Sequence, residues 1–575
     1  MSGVRVECGH LIVPEVRDRR NGRTLRLAVM TIRAAEPDGR PPLVFLHGGP
    51  GLNAVTSRFP INAVRWGLSQ HRDVIVYDQR GTGLSEPHLC PEVVDSNGDI
   101  ADESRAAAAA RACVANLRAA GIEPAAFSTA ANVADAIDLR RSLGYRAWDI
   151  YGVSYGSRLA QELMRRDRTG IRAVILDRPM PVGVRFYAET RRSFQIALER
   201  VFKACAAQPA CRTAFPSVEE DFYADYDELT AKPIDVAPEN STSGPVRLDG
   251  RRFVREIQHR LGSTRLIPTI PLVLSELRRG DRDRAARALL AATIGAMERL
   301  NPTNQLVISH DVCGKALTAA KELVWRQLPA AFVPSIDWTA SCSLWQERFA
   351  DPSTYRPVHS DLPTLILTAE FDDRTPTAFG RQIADTLKRS YLYEMHGEVH
   401  GAEIVSDCHG SILRQFLEAP GREPDSSCVD DPLPLVFETK SLELRTFVIR
   451  IAAEGQQPTT LAGQWRAVLP GPQTTVQFDL RVVNSTVVGT ITPNVPQGGG
   501  PVNAVQIIDG RVDREALTFK AKSPEGDRTI TFVATLNGDE LTFTRDVEVA
   551  PGGDPGREGI FGVLGPSTFT ARRTE

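Results

Sequence analysis

The chain has no apolar run approaching the roughly 18 residues that a membrane-spanning helix needs. It has no charge excess: 68 Lys and Arg stand against 71 Asp and Glu, a formal net charge of −3. That balance argues against a nucleic-acid surface, which needs a basic stripe to neutralise phosphates. Basic clusters such as Arg17-Asp18-Arg19-Arg20 are short and mixed, and read as solvated loop. C-x-x-C pairs are absent, and no histidine stands at zinc spacing from the cysteines, so no metal and no other cofactor is expected. The Gly-rich stretches 495–501 and 551–556 lack the strand–loop–helix context of a phosphate cradle. No internal repeat is apparent. The start, Met1-Ser2-Gly3-Val4, has neither a basic n-region nor an apolar h-region.

The nine cysteines fall into local pairs: Cys90 with Cys113, Cys205 with Cys211, Cys313 with Cys342, and Cys408 with Cys428. Cys8 is left over. Paired cysteines in an enzyme-sized chain fit an oxidising compartment, so a secreted or periplasmic protein with its leader removed is expected; a cytoplasmic enzyme with free thiols is the alternative. At 575 residues the chain exceeds one ordinary core, and two or more domains are expected.

The most telling stretch is Gly152-Val153-Ser154-Tyr155-Gly156, a G-x-S-x-G pattern. The apolar Trp148-Asp149-Ile150-Tyr151 before it reads as a strand, and Ser157 to Met164 after it reads as a helix. Strand, sharp turn and helix make a nucleophile elbow, in which flanking glycines let two backbones approach and strain holds the serine hydroxyl outward. Such a serine needs an oxyanion hole, an acid and a histidine, in the order Ser, Asp, His. Upstream, the buried strand Leu43-Val44-Phe45-Leu46 runs into His47-Gly48-Gly49-Pro50-Gly51, a turn that can aim backbone N–H groups at a developing oxyanion. Downstream, the strand 364–368 ends in Ala369-Glu370-Phe371-Asp372-Asp373-Arg374-Thr375-Pro376. A further strand, Tyr391 to Glu394, precedes His396-Gly397-Glu398-Val399-His400-Gly401. All these parts lie just after strands, where the carboxyl ends of a parallel sheet gather ligands.

Two choices stay open inside this set. Asp372 leaves the strand first and is favoured as the acid, with Asp373 capping the helix near Pro376 or pairing with Arg374. His400 is favoured as the base over His396, which lies at the strand end.

The motifs at 47–51 and 152–156, with Asp78-Gln79-Arg80-Gly81-Thr82-Gly83-Leu84-Ser85 between them, resemble the proline iminopeptidase family of α/β-hydrolases. Asp372-Asp373-Arg374-Thr375-Pro376 and Val399-His400-Gly401 are closer to its secreted tripeptidyl aminopeptidase-like branch, and the resemblance spans roughly residues 5 to 430. It implies Ser154 as nucleophile, His400 as general base, Asp372 as its orienter, and an oxyanion hole from the N–H groups of Gly49 and Tyr155. Tyr155 stands where iminopeptidases often carry Trp, which departs from the pattern tied to strict proline preference. The family's exopeptidases hold the substrate amine with cap carboxylates. Glu189 and Glu199 are the candidates here, each also readable as part of a solvated helix face.

Strands alternate with helices through residues 1–177, as at Leu25 to Ile32, Val74 to Tyr77 and the helix around Asn132 to Leu143. This predicts a mostly parallel sheet. From 178 to 360 the pattern is mainly helical, a cap over the site. The sheet resumes over 361–430. A connecting segment, 431–457, leads to short alternating strands over 458–575. Among them Asn537-Gly538 before Glu540 marks a hairpin. This predicts a separate antiparallel β-barrel or sandwich. Gly463-Gln464-Trp465 and Arg572 resemble the opening and closing of lipocalin-like barrels, in which the arginine packs over the tryptophan.

Three functions follow as expectations. One is an exopeptidase releasing N-terminal amino acids or short peptides. Another is an esterase or amidase on small acyl substrates. The third is a binding protein on an inactive hydrolase fold. The partner is then a peptide or small acyl substrate, with no nucleic acid. The β domain is expected to bind a polymer, a surface or a second chain, or to add stability.

Overall fold

The computed structural model describes residues 4–19, 22–90, 103–184, 186–236, 245–264, 266–279, 281–291, 307, 352–400, 406–430, 435–439 and the strands between 463 and 574. It divides into two compact units, Met1–Ala286 with Met297–Thr439, and Arg287–Ala296 with Lys440–Glu575.

The first unit is built on an eight-stranded sheet. Its strands are β1 (Val6–Pro14), β2 (Thr24–Ile32), β3 (Leu43–Leu46), β4 (Val74–Tyr77), β5 (Trp148–Val153), β6 (Ile171–Asp177), and, after the cap, β9 (Thr364–Ala369) and β10 (Ser390–Met395). Their order is β1-β2-β4-β3-β5-β6-β9-β10. From β4 to β10 every pairing is parallel, and only β1–β2 and β2–β4 are antiparallel. The inner strands are mostly apolar because both faces are covered, and the one buried charge in β5, Asp149, is bonded by Arg72 and Arg172. Val44 and Leu46 join one core cluster with Ile150 and Ile366; Leu43 and Phe45 join the other with Tyr151 and Leu365. The helices Thr129–Ser142 and Tyr155–Arg166 supply the first cluster, and Asp407–Glu418 supplies the second.

The insertion after β6 carries the helices Phe186–Ala207, Pro209–Ala214, Val218–Ala231, Gly250–Leu261, Ile270–Arg279 and Arg282–Ala291, with a hairpin of β7 (Ile234–Val236) and β8 (Val246–Leu248). Phe222 packs between Phe202 and Phe253 at 6.1 and 5.4 Å, joining three of these helices. Arg200 of the first helix donates to the Glu370 carbonyl at 2.5 Å and reaches Glu394, which fixes the cap to the loop after β9. Residues 435–439 lie on the cap. Gln208 donates to the Leu435 carbonyl at 2.6 Å, Glu438 N–H donates to the Pro268 carbonyl at 3.1 Å, and Phe437 is buried.

Disulfides join Cys90–Cys113, Cys205–Cys211 and Cys408–Cys428, while Cys8 is free and exposed. Cys313 and Cys342 lie outside the described residues. Three disulfides are the pattern of an extracellular or periplasmic protein. Among the described residues no helix is long and apolar enough to cross a membrane.

The second unit contains a closed antiparallel barrel of β11 (Gly463–Leu469), β12 (Thr474–Val483), β13 (Thr486–Pro493), β14 (Val505–Asp513), β15 (Ala516–Lys522), β16 (Arg528–Asn537), β17 (Glu540–Val549) and β18 (Thr568–Thr574). Closure decides between barrel and sandwich, and it removes the sheet edges. Alternate residues turn inward, and Phe478, Phe519, Phe532 and Phe543 fill the centre; Phe478 stacks on Phe543 at 4.5 Å. The hairpin read at Asn537-Gly538 joins β16 to β17, with Asn537 opposite Glu540. The first and last strands pair, but the register sets Arg572 opposite Arg466 and places Arg573 opposite Trp465.

Candidate active site

β5 delivers Ser154, and the helix Tyr155–Arg166 begins at the next residue. Ser154 has φ 53° and ψ −121°, a left-handed conformation that a non-glycine residue holds only when its surroundings impose it. The two glycines of the pentapeptide explain how. A Cβ on Gly152 would lie 2.4 Å from the Gly156 carbonyl oxygen, and one on Gly156 would lie 1.9 Å from the Leu46 carbonyl oxygen. Only bare backbone lets the helix start so close to β3.

The turn after β3 lies against the serine. A Cβ on Gly48 would meet Ser154 Cβ at 2.8 Å. Gly49 has φ +107°, open to glycine. Burial holds the His47 imidazole down at about 4, and its neutral Nδ1 accepts the Gly48 N–H at 2.7 Å. The segment after β4 braces this turn. Asp78 accepts the N–H groups of Ala54, Val55 and Leu84 at 2.5, 2.9 and 2.9 Å, and Gln79 donates to the His47 carbonyl at 3.1 Å. Arg80 forks onto Asp135 with two bonds of 2.7 Å, tying the loop to the helix Thr129–Ser142. Tyr155 opens its helix, and its hydroxyl meets Thr129 Oγ1 at 2.9 Å.

β9 delivers Asp372. Its carboxylate accepts the N–H groups of Arg374 and Thr375 at 2.8 and 2.7 Å, and Thr375 Oγ1 lies 2.8 Å away. His400 follows β10. Its Nδ1 stands 2.9 Å from both Asp372 oxygens, and its Nε2 stands 3.0 Å from Ser154 Oγ. Burial pushes the Asp372 pKa up, but the His400 ring and the N–H groups of Thr375 and Arg374 outweigh it and hold the carboxyl below its usual range. A serine, an imidazole and a buried carboxylate in one hydrogen-bonded line can pass a proton from the hydroxyl to the ring.

The other candidates are placed elsewhere. Asp373 is fully buried, with Gln258 of the cap beside it and Arg374 Nε 3.9 Å away. The helix Thr377–Ala384 has Pro376 at its cap and no side-chain cap bond, so of the two roles expected for Asp373 the structure shows the pairing with Arg374 and not the cap. Burial pushes the Asp373 pKa up. His396 faces Glu370 at 3.6 Å and is 42% exposed, away from the line of Ser154, His400 and Asp372. Glu189 and Glu199 are both half-buried on the first cap helix. Glu189 accepts Ser193 Oγ with its carbonyl, and Glu199 accepts Gln195 Nε2 at 2.9 Å. Their described bonds run along their own helix.

Sequence reasoning did not single out Thr375, Asp177, Arg178, Glu398 or His409, all buried around these three residues. The available signal was charge where the sheet is otherwise apolar: Leu176-Asp177-Arg178 puts two charges at the end of a buried strand.

Residues 41–215 match a family model described as alpha/beta hydrolase fold, and residues 330–428 match one described as TAP-like protein. The chain is 21% identical over 450 residues to the putative hydrolase YuaR of Escherichia coli (strain K12), covering 73% of this chain and 87% of that protein. Over 60 residues it is 40% identical to a proline iminopeptidase of Arabidopsis thaliana, covering 10% of this chain and 14% of that one. Among solved structures, proline iminopeptidase from Mycobacterium smegmatis aligns at 16% identity and TM-score 0.36, covering 72% of this chain and 99% of that one. A thermophilic esterase from Thermogutta terrifontis aligns at 15% identity and TM-score 0.32, covering 72% and 100%. The chain is a hydrolase of the α/β fold, with similarity to TAP-like proteins and to proline iminopeptidases.

Proposed function

We propose that the protein is a serine hydrolase acting through an acyl-enzyme, and that it is an exopeptidase releasing N-terminal amino acids or short peptides. The observation that carries the first part is the unbroken line Ser154 Oγ–His400–Asp372 at 3.0 and 2.9 Å. In this reading His400 Nε2 takes the Ser154 proton as Oγ attacks the substrate carbonyl carbon. The N–H groups of Gly49 and Tyr155 hold the oxyanion. The C–N bond breaks as His400 gives its proton to the leaving amine. Water then attacks the ester, losing its proton to His400, and Ser154 is regenerated with the acid released. Asp372 keeps the Nδ1–H pointed inward and balances the imidazolium. The exopeptidase part rests on the similarity to proline iminopeptidases.

The test compares matched substrates: free-amine aminoacyl and tripeptidyl anilides, their N-acetylated forms, and short acyl esters. An exopeptidase should prefer the free amine by at least about tenfold, since a site built for an ammonium group rejects a substrate lacking it. Equal rates, or preference for esters, would replace this reading with that of an esterase. Ser154→Ala should lose nearly all turnover while staying folded, and His400→Ala should follow it, with His396→Ala close to wild type. Turnover retained by Ser154→Ala would remove the catalytic assignment. We further propose export to an oxidising compartment, motivated by the three disulfides. Labelling of all nine cysteines by alkylation without reductant, on protein from its native source, would contradict it.

A further inference from the structure

The dipeptide Asp177-Arg178, at the end of β6, supplies neither nucleophile, acid nor base, yet it touches the segments that carry all three. The Asp177 carbonyl accepts the Ser154 N–H at 2.9 Å. The Arg178 carbonyl lies 2.9 Å from Thr375 Oγ1, the hydroxyl that also stands 2.8 Å from Asp372 and 3.1 Å from His400 Nδ1. The Arg178 guanidinium spans to the histidine loop. Nε donates to the Val399 carbonyl at 2.6 Å, Nη2 donates to Glu398 at 2.6 Å, and Nη1 returns to Asp177 at 2.8 Å. Glu398 and Val399 are the two residues before His400.

The surroundings hold this dipeptide rigidly. Arg178 is 1% exposed and has φ 48°, the same left-handed region as Ser154. His409 lies between the two carboxylates, 3.4 Å from Asp177 and 3.3 Å from Glu398, and stacks on Trp66 at 5.8 Å. Tyr151 donates to Asp177 at 2.7 Å, and Ser406 binds Glu398 through both N–H and hydroxyl at 2.9 Å. Burial lowers the pKa of His409, but Asp177 and Glu398 raise it to about 9, so two anions face two cations. Four buried ionisable groups are a poor way to gain stability, because desolvation cancels most of their attraction and apolar residues of similar size often serve as well. What such a cluster gives is a fixed arrangement, and here the arrangement is of three separate loop ends.

We infer that Arg178 is a positioning residue for the hydrolytic reaction: through the Asp177-Arg178 hub it locks the Ser154 elbow, the Asp372 loop and the His400 loop into one alignment. The inference rests on the reading of these three residues as the catalytic set. Arg178 donates to the histidine loop, not to substrate, so its effect runs through the placement of His400.

The test uses Arg178→Met, Arg178→Lys and Thr375→Val in the full chain. Active sites are counted by complete labelling with a fluorophosphonate, followed by mass spectrometry. Then kcat and KM are measured on 4-nitrophenyl acetate, well below the unfolding midpoint of each variant. Arg178→Met should lose on the order of 10²-fold in kcat per labelled site, with KM within about threefold, because a shift of about 1 Å in a reacting group has that effect. Arg178→Lys keeps the charge but not the three-way fork and should recover part of the loss. Thr375→Val should lose about tenfold in kcat by cutting the bridge to Asp372. A merely stabilising role predicts a lower unfolding midpoint with unchanged kcat per site, and that result in Arg178→Met overturns the inference. If Arg178→Met does not fold, native kcat per site in both Arg178→Lys and Thr375→Val overturns it instead. Ser154→Ala separates the two levels. Turnover by that variant removes the catalytic set and the inference with it. Inactivity there, beside full activity in Arg178→Met, removes only the positioning role.

Discussion

Gly156→Ala tests how the elbow is built, because the structure gives a distance for the clash. The added Cβ would sit 1.9 Å from the Leu46 carbonyl oxygen, 2.7 Å from its carbon and 2.9 Å from the His47 carbonyl oxygen. All three are backbone atoms, so no side chain can rotate away. Restoring ordinary contact at 3.4 Å requires 3.4 − 1.9 = 1.5 Å of separation between the helix start and the end of β3. Those two backbones carry Tyr155 and the turn with Gly49, the proposed oxyanion donors. Overpacking of this kind costs about 1–3 kcal/mol of stability. A misplacement of about 1 Å at a reacting site costs on the order of 10²-fold in rate, so kcat per labelled site should fall by at least that much. The control is Gly9→Ala. Gly9 lies in β1, and a Cβ there would have nothing within 4 Å of it, so kcat and unfolding midpoint should not change. Both are measured by active-site labelling, ester turnover and thermal unfolding on the same preparations. If Gly156→Ala matches Gly9→Ala in kcat and midpoint, the close approach of helix and β3 is not what sets the elbow.

Two further outcomes follow from charge and from the linker. His409 has a folded pKa of about 9, above the ordinary 6.5, so its stabilising contribution is complete below pH 6.5 and disappears as pH rises through 9. Urea unfolding should show stability falling by up to about 3 kcal/mol across that window, from 1.36 kcal/mol per unit, and His409→Gln should flatten the fall; an unchanged slope in the variant would exclude His409 as its source. For the domain arrangement, which we propose as a hydrolase body followed by an independently folding barrel, a chain ending near residue 455 should stay soluble and hydrolyse a small ester. One ending at 430 should lose thermal stability, because it removes Phe437 and the bonds from Gln208 to Leu435 and from Glu438 to Pro268. Equal unfolding midpoints for the two would mean that the strap on the cap contributes nothing.

What was legible in the sequence was whatever the chain writes locally. β3, β5 and β9 are buried on both faces, so each appears as a short, mostly apolar run, with Asp149 the one charge inside β5, and its end can be read to within a residue or two. Gly152 must clear the Gly156 carbonyl one turn on, and Gly156 must clear Leu46, so the elbow is a pattern of neighbours. The barrel strands announce themselves by period two, and Asn537-Gly538 by its turn chemistry. The choice between Asp372 and Asp373 was harder, because both are buried and only the direction of each side chain separates them. The loop amides of Arg374 and Thr375 collect on Asp372, and this capture turns it toward His400.

The rest depends on pairs far apart in the chain. Arg178 meets Glu398 across 220 residues, and Arg80 meets Asp135 across 55. Nothing in the spacing of such residues distinguishes them from surface charge; only the topology makes them neighbours. β6 lies between β5 and β9, so the residues leaving its end stand beside both the serine elbow and the acid loop, with the histidine loop one strand further along. Any charged residue at that position is buried by its neighbours on both sides and must find partners there. A reader of the sequence who knows the strand order can therefore look for one more thing. The residue after the strand between nucleophile and acid is forced to take part in the geometry of the site, whatever its own chemistry. In this chain that residue is an arginine with a carboxylate on either side, at Asp177 and Glu398, and the Val399 carbonyl between that second carboxylate and His400 completes its fork.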